Sequence, residues 1–299
     1  MNAPISPSLA EPARMQRVEA RGRIGVRRDG AATRLADLFQ EGAAKIRIPR
    51  SHAAGETLEA VLINTAGGLT GGDRVNWQAS AGEGAHLSLT TQACEKVYKA
   101  SAGTATVDIS LRAGAGGAVA WLPQETILYD RAAFSRSMDV ALAADAECLI
   151  VEALLLGRKA MGETVRNAAF RDRWRVRVGG HLVHAEDFRF EGDAAQLFSR
   201  IATGNRAAAM ATILMVGHRA EASLAQARAM IANHASVGSG VQAGIRAGVS
   251  FWRVGPADGK SGKLLARIVA EDGYRLRSLL QPLIGLLNGK AGLPKIWST

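Results

Sequence analysis

The sequence predicts a mainly β protein with a small helical part. Apolar and polar residues alternate with period two through most of residues 17–178, as in half-buried strands. Glycine-rich turns separate these runs at short, regular spacing, as in a sandwich, a barrel or a helical β stack. Helical periodicity is confined to the last third of the chain.

The elements follow in order. Met1 to about residue 16 is rich in Pro, Ser and Ala and is expected to be a disordered tail, followed by a single domain over 17–299. Leu58 to Ile63 is an apolar run that reads as a strand. Val107, Ile109 and Leu111 alternate with Thr106, Asp108 and Ser110, and Met138, Val140 and Leu142 alternate with Ser137, Asp139 and Ala141. Trp174, Val176 and Val178 alternate with Arg173, Arg175 and Arg177. Such strands, with one face solvated, are expected to pair antiparallel. The turns are Ala81-Gly82-Glu83-Gly84, Gly114-Ala115-Gly116-Gly117 and Gly179-Gly180. No internal sequence repeat stands out. Ala211 to Val216, Ile245 to Val254 and Lys263 to Val269 read as further strands. Helices are expected at about 221–233, where Leu224, Ala227 and Ile231 share a face, and at about 271–288. Pro282 falls inside the second and is expected to kink it.

Composition narrows the function. The 299 residues carry a formal charge of +10, which favours acidic partners. Only Arg21, Arg23, Arg27 and Arg28 cluster, with no aromatic residues between them, so nucleic-acid binding is not expected. Cys94 and Cys148 stand far apart, which supports neither a disulfide framework nor a structural zinc site. No apolar run is long enough to cross a membrane and no signal peptide is recognisable, so a cytoplasmic protein is expected.

The familiar catalytic patterns fail on spacing. Gly255-Pro-Ala-Asp-Gly259-Lys260-Ser261 is one residue short of a phosphate loop and reads as a hairpin turn. Gly238, Gly240 and Gly244 miss the dinucleotide spacing. His181 and His184, on an extended segment, would point to opposite faces and not share an ion. No Cys has a histidine partner; Cys94 reads as a small filler or, alternatively, as a soft thiolate near a metal route.

Carboxylates remain. Asn64-Thr65-Ala66-Gly67-Gly68-Leu69-Thr70-Gly71-Gly72-Asp73 has a backbone that must turn sharply or admit a close neighbour, and it ends on an acid. Glu125 follows a Leu-Pro turn, and Glu152 lies inside the apolar run Leu149 to Leu156. A charge there costs several kcal/mol unless paired, hydrated or bound to a cation. Two uses stay open for Glu152: a pair with an arginine such as Arg158, or an oxygen ligand for a divalent ion in a wet channel. Asp73 with Glu125 as paired carboxylates would make an alternative, a β-rich hydrolase.

The glycine loop resembles the urease accessory protein UreD (UreH) family. So do Trp121-Leu122-Pro123-Gln124-Glu125-Thr126, Leu156-Gly157-Arg158, Gly162-Glu163-Thr164 and the tail Pro294-Lys295-Ile296-Trp297-Ser298-Thr299. The resemblance implies a β-helix-like stack and a non-enzymatic urease maturation factor. It would bind UreF and, with the GTPase UreG, deliver nickel into the urease apoprotein. No tightly bound cofactor is implied, only transient nickel, and the complexes would be free to dimerise. It marks Asp73 and Glu152 for metal transfer; Glu125 joins them as a third candidate on the nickel path. The chain departs from the family at Thr65-Ala66, where Pro-Pro is common, and at Val97-Tyr98-Lys99-Ala100, where Phe-Tyr-Arg-Ser is usual.

Overall fold

The computed structural model describes residues 16–49, 56–236, 244–255 and 261–298. The expected N-terminal tail, the Gly238–Gly240 loop and the Gly255–Lys260 turn fall wholly or largely outside them. The strands are β1 (Glu19–Asp29), β2 (Ala32–Gly42), β3 (Ala44–Arg47), β4 (Thr57–Asn64), β5 (Arg74–Ala81), β6 (His86–Thr91), β7 (Glu95–Val97), β8 (Ala105–Ala113) and β9 (Ala118–Leu122). They continue with β10 (Thr126–Leu128), β11 (Ala133–Leu142), β12 (Glu147–Leu156), β13 (Ala168–Val178), β14 (His181–Gly192), β15 (Ala209–Gly217), β16 (Ile245–Arg253) and β17 (Gly262–Ala270). Three α-helices are present among the described residues: α1 (Ala194–Leu197), α2 (Ala220–Ser236) and α3 (Gly273–Leu287). The two expected helices are α2 and α3, with Pro282 inside α3. The single turn α1, capped by Asp193, is too short to leave a periodic signal.

The strands wind into a β-solenoid-like stack. One sheet runs β14-β13-β11-β8-β5-β1-β2 and the other β16-β17-β15-β12-β9-β6-β4-β3, with β7 and β10 attached beside β12. The chain passes from one sheet to the other and returns one rung further on, so β5, β8, β11 and β13 pair parallel and in register. This corrects the antiparallel expectation, which holds only for pairs such as β1–β2, β13–β14 and β15–β17. Alternation reports one buried face, and here each coil returns its strand in the same direction.

The coils also form a structural repeat that the sequence reading missed. Ala85 N–H donates to Gly82, Gly117 to Gly114 and Ala146 to Ala143 at 2.9–3.1 Å, three equivalent tight corners. Corner stacks on corner through Ala118 N–H to Ala85 and Glu147 N–H to Gly117.

Two apolar layers result. Leu87, Ile109, Leu111, Met138, Val140, Trp174 and Val176 fill the space between the sheets. The outer face of the second sheet packs under α2 and α3, where Leu149, Val151, Ile213, Leu276, Leu280 and Trp297 are buried. β12 is therefore covered on both faces and reads as a continuous apolar run. Its alternate residues Cys148, Ile150 and Leu154 face the inter-sheet core, which places Glu152 in the same phase. No helix among the described residues is long and apolar enough to cross a membrane.

Candidate functional site

Glu152 is 5 % exposed and anchors a buried polar chain across the two sheets. Its Oε1 accepts from Trp121 Nε1 at 2.8 Å, and its Oε2 pairs with Arg136 Nη1. Arg136, from β11 of the facing sheet, also binds Asp172 through Nε at 3.0 Å and Nη2 at 2.5 Å. β11 and β13 run parallel with Arg136 opposite Asp172, so the pair is set by register. Trp174 Nε1 donates to Asp172 at 2.7 Å, and Arg136 Nη1 donates to Thr126 at 3.3 Å. The expected alternative partner of Glu152 is thus corrected: Arg158 pairs with Glu163 at 2.8 Å, and Arg136 is the residue beside Glu152.

Two carboxylates share one guanidinium, leaving one negative charge in excess when both are ionised. Burial pushes Glu152 well above the usual carboxylate range, against the pull of Arg136. The chain borders a cavity of about 330 Å³ whose walls include Glu186, Arg267, Phe188 and Met210. Glu186 pairs with Arg267 and has His184 Nε2 3.9 Å away. Burial, with Lys263, Arg267 and Arg175 nearby, drops His184 to about 4, so it is neutral. His181 is exposed and His184 buried, as expected for opposite faces. A larger cleft of about 430 Å³ lies elsewhere, between His86, Glu147, Cys148 and Arg219, and holds none of the three candidate acids.

Glu125 is 1 % exposed and sits in a different bond set. Arg277 of α3 donates to it through Nε at 2.6 Å and Nη2 at 2.8 Å. Burial raises Glu125, but Arg277 outweighs it and holds the acid below its ordinary value. Cys94 Sγ lies 3.3 Å from Glu125, and burial plus that charge pushes the thiol up to about 11. Cys94 is therefore a protonated neighbour and not a soft thiolate at neutral pH.

Asp73 is 3 % exposed, and backbone amides occupy both its oxygens. Val18 N–H donates to Oδ1 at 2.9 Å and Thr70 N–H to Oδ2 at 2.8 Å. The glycines explain themselves: a Cβ on Gly68 would lie 2.4 Å from the Tyr98 ring, and one on Gly71 2.3 Å from Ala102 O. Asp73 thus ties the loop to the start of β1. Asp73→Ala should cost about 1–3 kcal/mol in urea unfolding, because two amides lose their acceptor. An unchanged midpoint would mean that water replaces the carboxylate.

Glu95 was not singled out from sequence. It shares the phase of fully buried Val97 on β7 and lies opposite Thr126 of β10. Asn64 Nδ2 donates to both its oxygens at 3.2 Å. Burial, opposed by Asn64, raises Glu95 from 4.5 to about 7. The folded state therefore holds this proton more tightly than the unfolded one, and stability is lost as pH climbs from about 4.5 through about 7. Glu95→Gln should melt above the wild type at pH 8 and with it at pH 4. A lower midpoint at pH 8 would show that ionised Glu95 has a favourable partner.

Fold and site together define a β-solenoid scaffold with buried acid–arginine pairs joining its layers. The UreD urease accessory protein family model matches residues 18–298. The chain is 50 % identical over 294 residues to the urease accessory protein UreD of Mesorhizobium japonicum, covering 98 % of this chain and 97 % of that one. It is 51 % identical over 283 residues to UreD of Sinorhizobium medicae, covering 95 % and 96 %. The chain belongs to the UreD family of urease accessory proteins.

Proposed function

We propose that the protein binds UreF and, with UreG, hands nickel to the urease apoprotein, the ion passing beside Glu152 and Asp172. The carrying observation is the two-carboxylate, one-arginine set on the wall of the 330 Å³ cavity. Carboxylate oxygens suit an ion that must exchange and move on, whereas thiolates retain it. The acids at the cavity and under α3 already have arginines: Glu152 and Asp172 share Arg136, half-buried Glu186 has Arg267, and Glu125 has Arg277. An incoming dication therefore exchanges with a guanidinium or a proton and leaves no bare buried anion behind. On this reading Asp73 holds the loop and does not touch the ion, and Glu125 fixes α3. The protein itself performs no bond chemistry.

The test is urease matured in cells with and without this protein, alongside UreF and UreG. Nickel per urease active site should depend on its presence, and UreF should co-purify with it. Apo-urease that fills equally well without it would sink the proposal.

A further inference from the structure

The corners where the second sheet returns to the first are unlike the glycine corners opposite. Tyr98, 39 % exposed, meets Tyr129 edge-on at 5.0 Å, and the Arg158 guanidinium lies 4.6 Å over the Tyr129 ring. Glu163 clamps Arg158 Nε at 2.8 Å and accepts from Asp130 N–H at 3.2 Å. Asp130 accepts in turn from the amides of Arg166 and Asn167. Arg131 holds a left-handed φ of 62°, a conformation that glycine or asparagine takes at less cost. Met161 stands 73 % exposed beside them in sequence.

Tyr98, Tyr129 and Arg158 are held in place by these contacts, and the exposed charges beside them are cations. Lys96, Lys99, Arg131, Arg158 and Arg166 are exposed, while Asp130 and Glu163 are consumed by the bonds just described. Tyr, Arg and Met are the residue types enriched at protein interfaces.

We propose that this corner docks an acidic protein partner, Tyr98 and Met161 packing against it and the cations meeting its carboxylates. The inference rests on the functional reading above, in which the protein works inside an assembly, and assigns a face to that assembly. A protein fits better than a nucleic acid, because Arg158 covers the Tyr129 face and no open aromatic row remains for bases.

Binding of the purified protein to UreF and to the urease apoprotein tests it. Variants are Lys96→Glu with Lys99→Glu, and separately Met161→Asp, all at exposed positions that the fold does not need. The control is Arg173→Glu with Arg177→Glu, an equal charge change on the outer face of β13. The corner variants should weaken one of the two complexes at least about tenfold, and the control should not. Polyglutamate should compete with that complex, and single-stranded DNA should compete less. Unchanged binding by the corner variants, an equal loss in the control, or stronger competition by DNA would each overturn the docking surface. Should the wild type bind neither protein, the functional reading fails. The surface is then judged on polyglutamate retention alone, which the corner variants must lose and the control must keep.

Discussion

Glu152→Gln should leave the fold standing and stop the cargo. The amide keeps the volume and an oxygen for Trp121 Nε1. It also removes the surplus negative charge, so Arg136 and Asp172 remain as a balanced pair at 2.5 Å. The melting midpoint should stay within a few degrees of wild type, as for a change of about 1 kcal/mol or less. Nickel content and activity of urease matured with this variant should fall on the order of 10–100-fold, the usual effect of disturbing a ligand set. Complexes with the other accessory proteins should survive, because the change lies inside the stack. Full activation by Glu152→Gln would show that the acid is structural. Loss of activity together with loss of the complex would indicate misfolding.

Arg136→Met should be the most damaging single change. It strands Glu152 and Asp172, 5 % and 6 % exposed, facing each other without a cation. Removing one partner of a buried ion pair costs about 3–5 kcal/mol. The sign of the pH dependence is specific. Without Arg136, burial and the Asp172 charge act on Glu152 unopposed and raise it further above its unfolded value, so the folded state binds more protons. The variant's deficit should therefore be largest near pH 8 and shrink toward pH 5. A deficit equal at both values would mean that the arginine acts by packing alone. The double variant Arg136→Met with Glu152→Gln should recover part of the loss, since one stranded charge is then gone.

Much of this is legible in the sequence. Alternation at Met138, Val140 and Leu142, carried back one step, puts Arg136 on the inward face. The alternation at Trp174, Val176 and Val178 likewise puts Asp172 there. A charge in the inward phase of a strand is a legible signal, and both residues could have been flagged beside Glu152. Glu95 is readable in the same way from Val97.

Local sequence determined the strand content, the two long helices, the glycine loop and the buried position of Glu152. All of these depend on neighbours within a few residues: side-chain period, turn stereochemistry and the cost of a charge in an apolar run. Family membership was also legible, because short motifs in fixed order survive without knowledge of their contacts. Tertiary structure alone decided that the strands run parallel, since direction depends on where each coil closes. It decided as well that Glu152 meets Arg136, 16 residues away in sequence, and not Arg158, only 6 away. It placed Asp73 on two backbone amides and Glu125 on Arg277, 152 residues further on. Burial sets how strongly an acid must be paired, but only the stacking register decides which cation arrives.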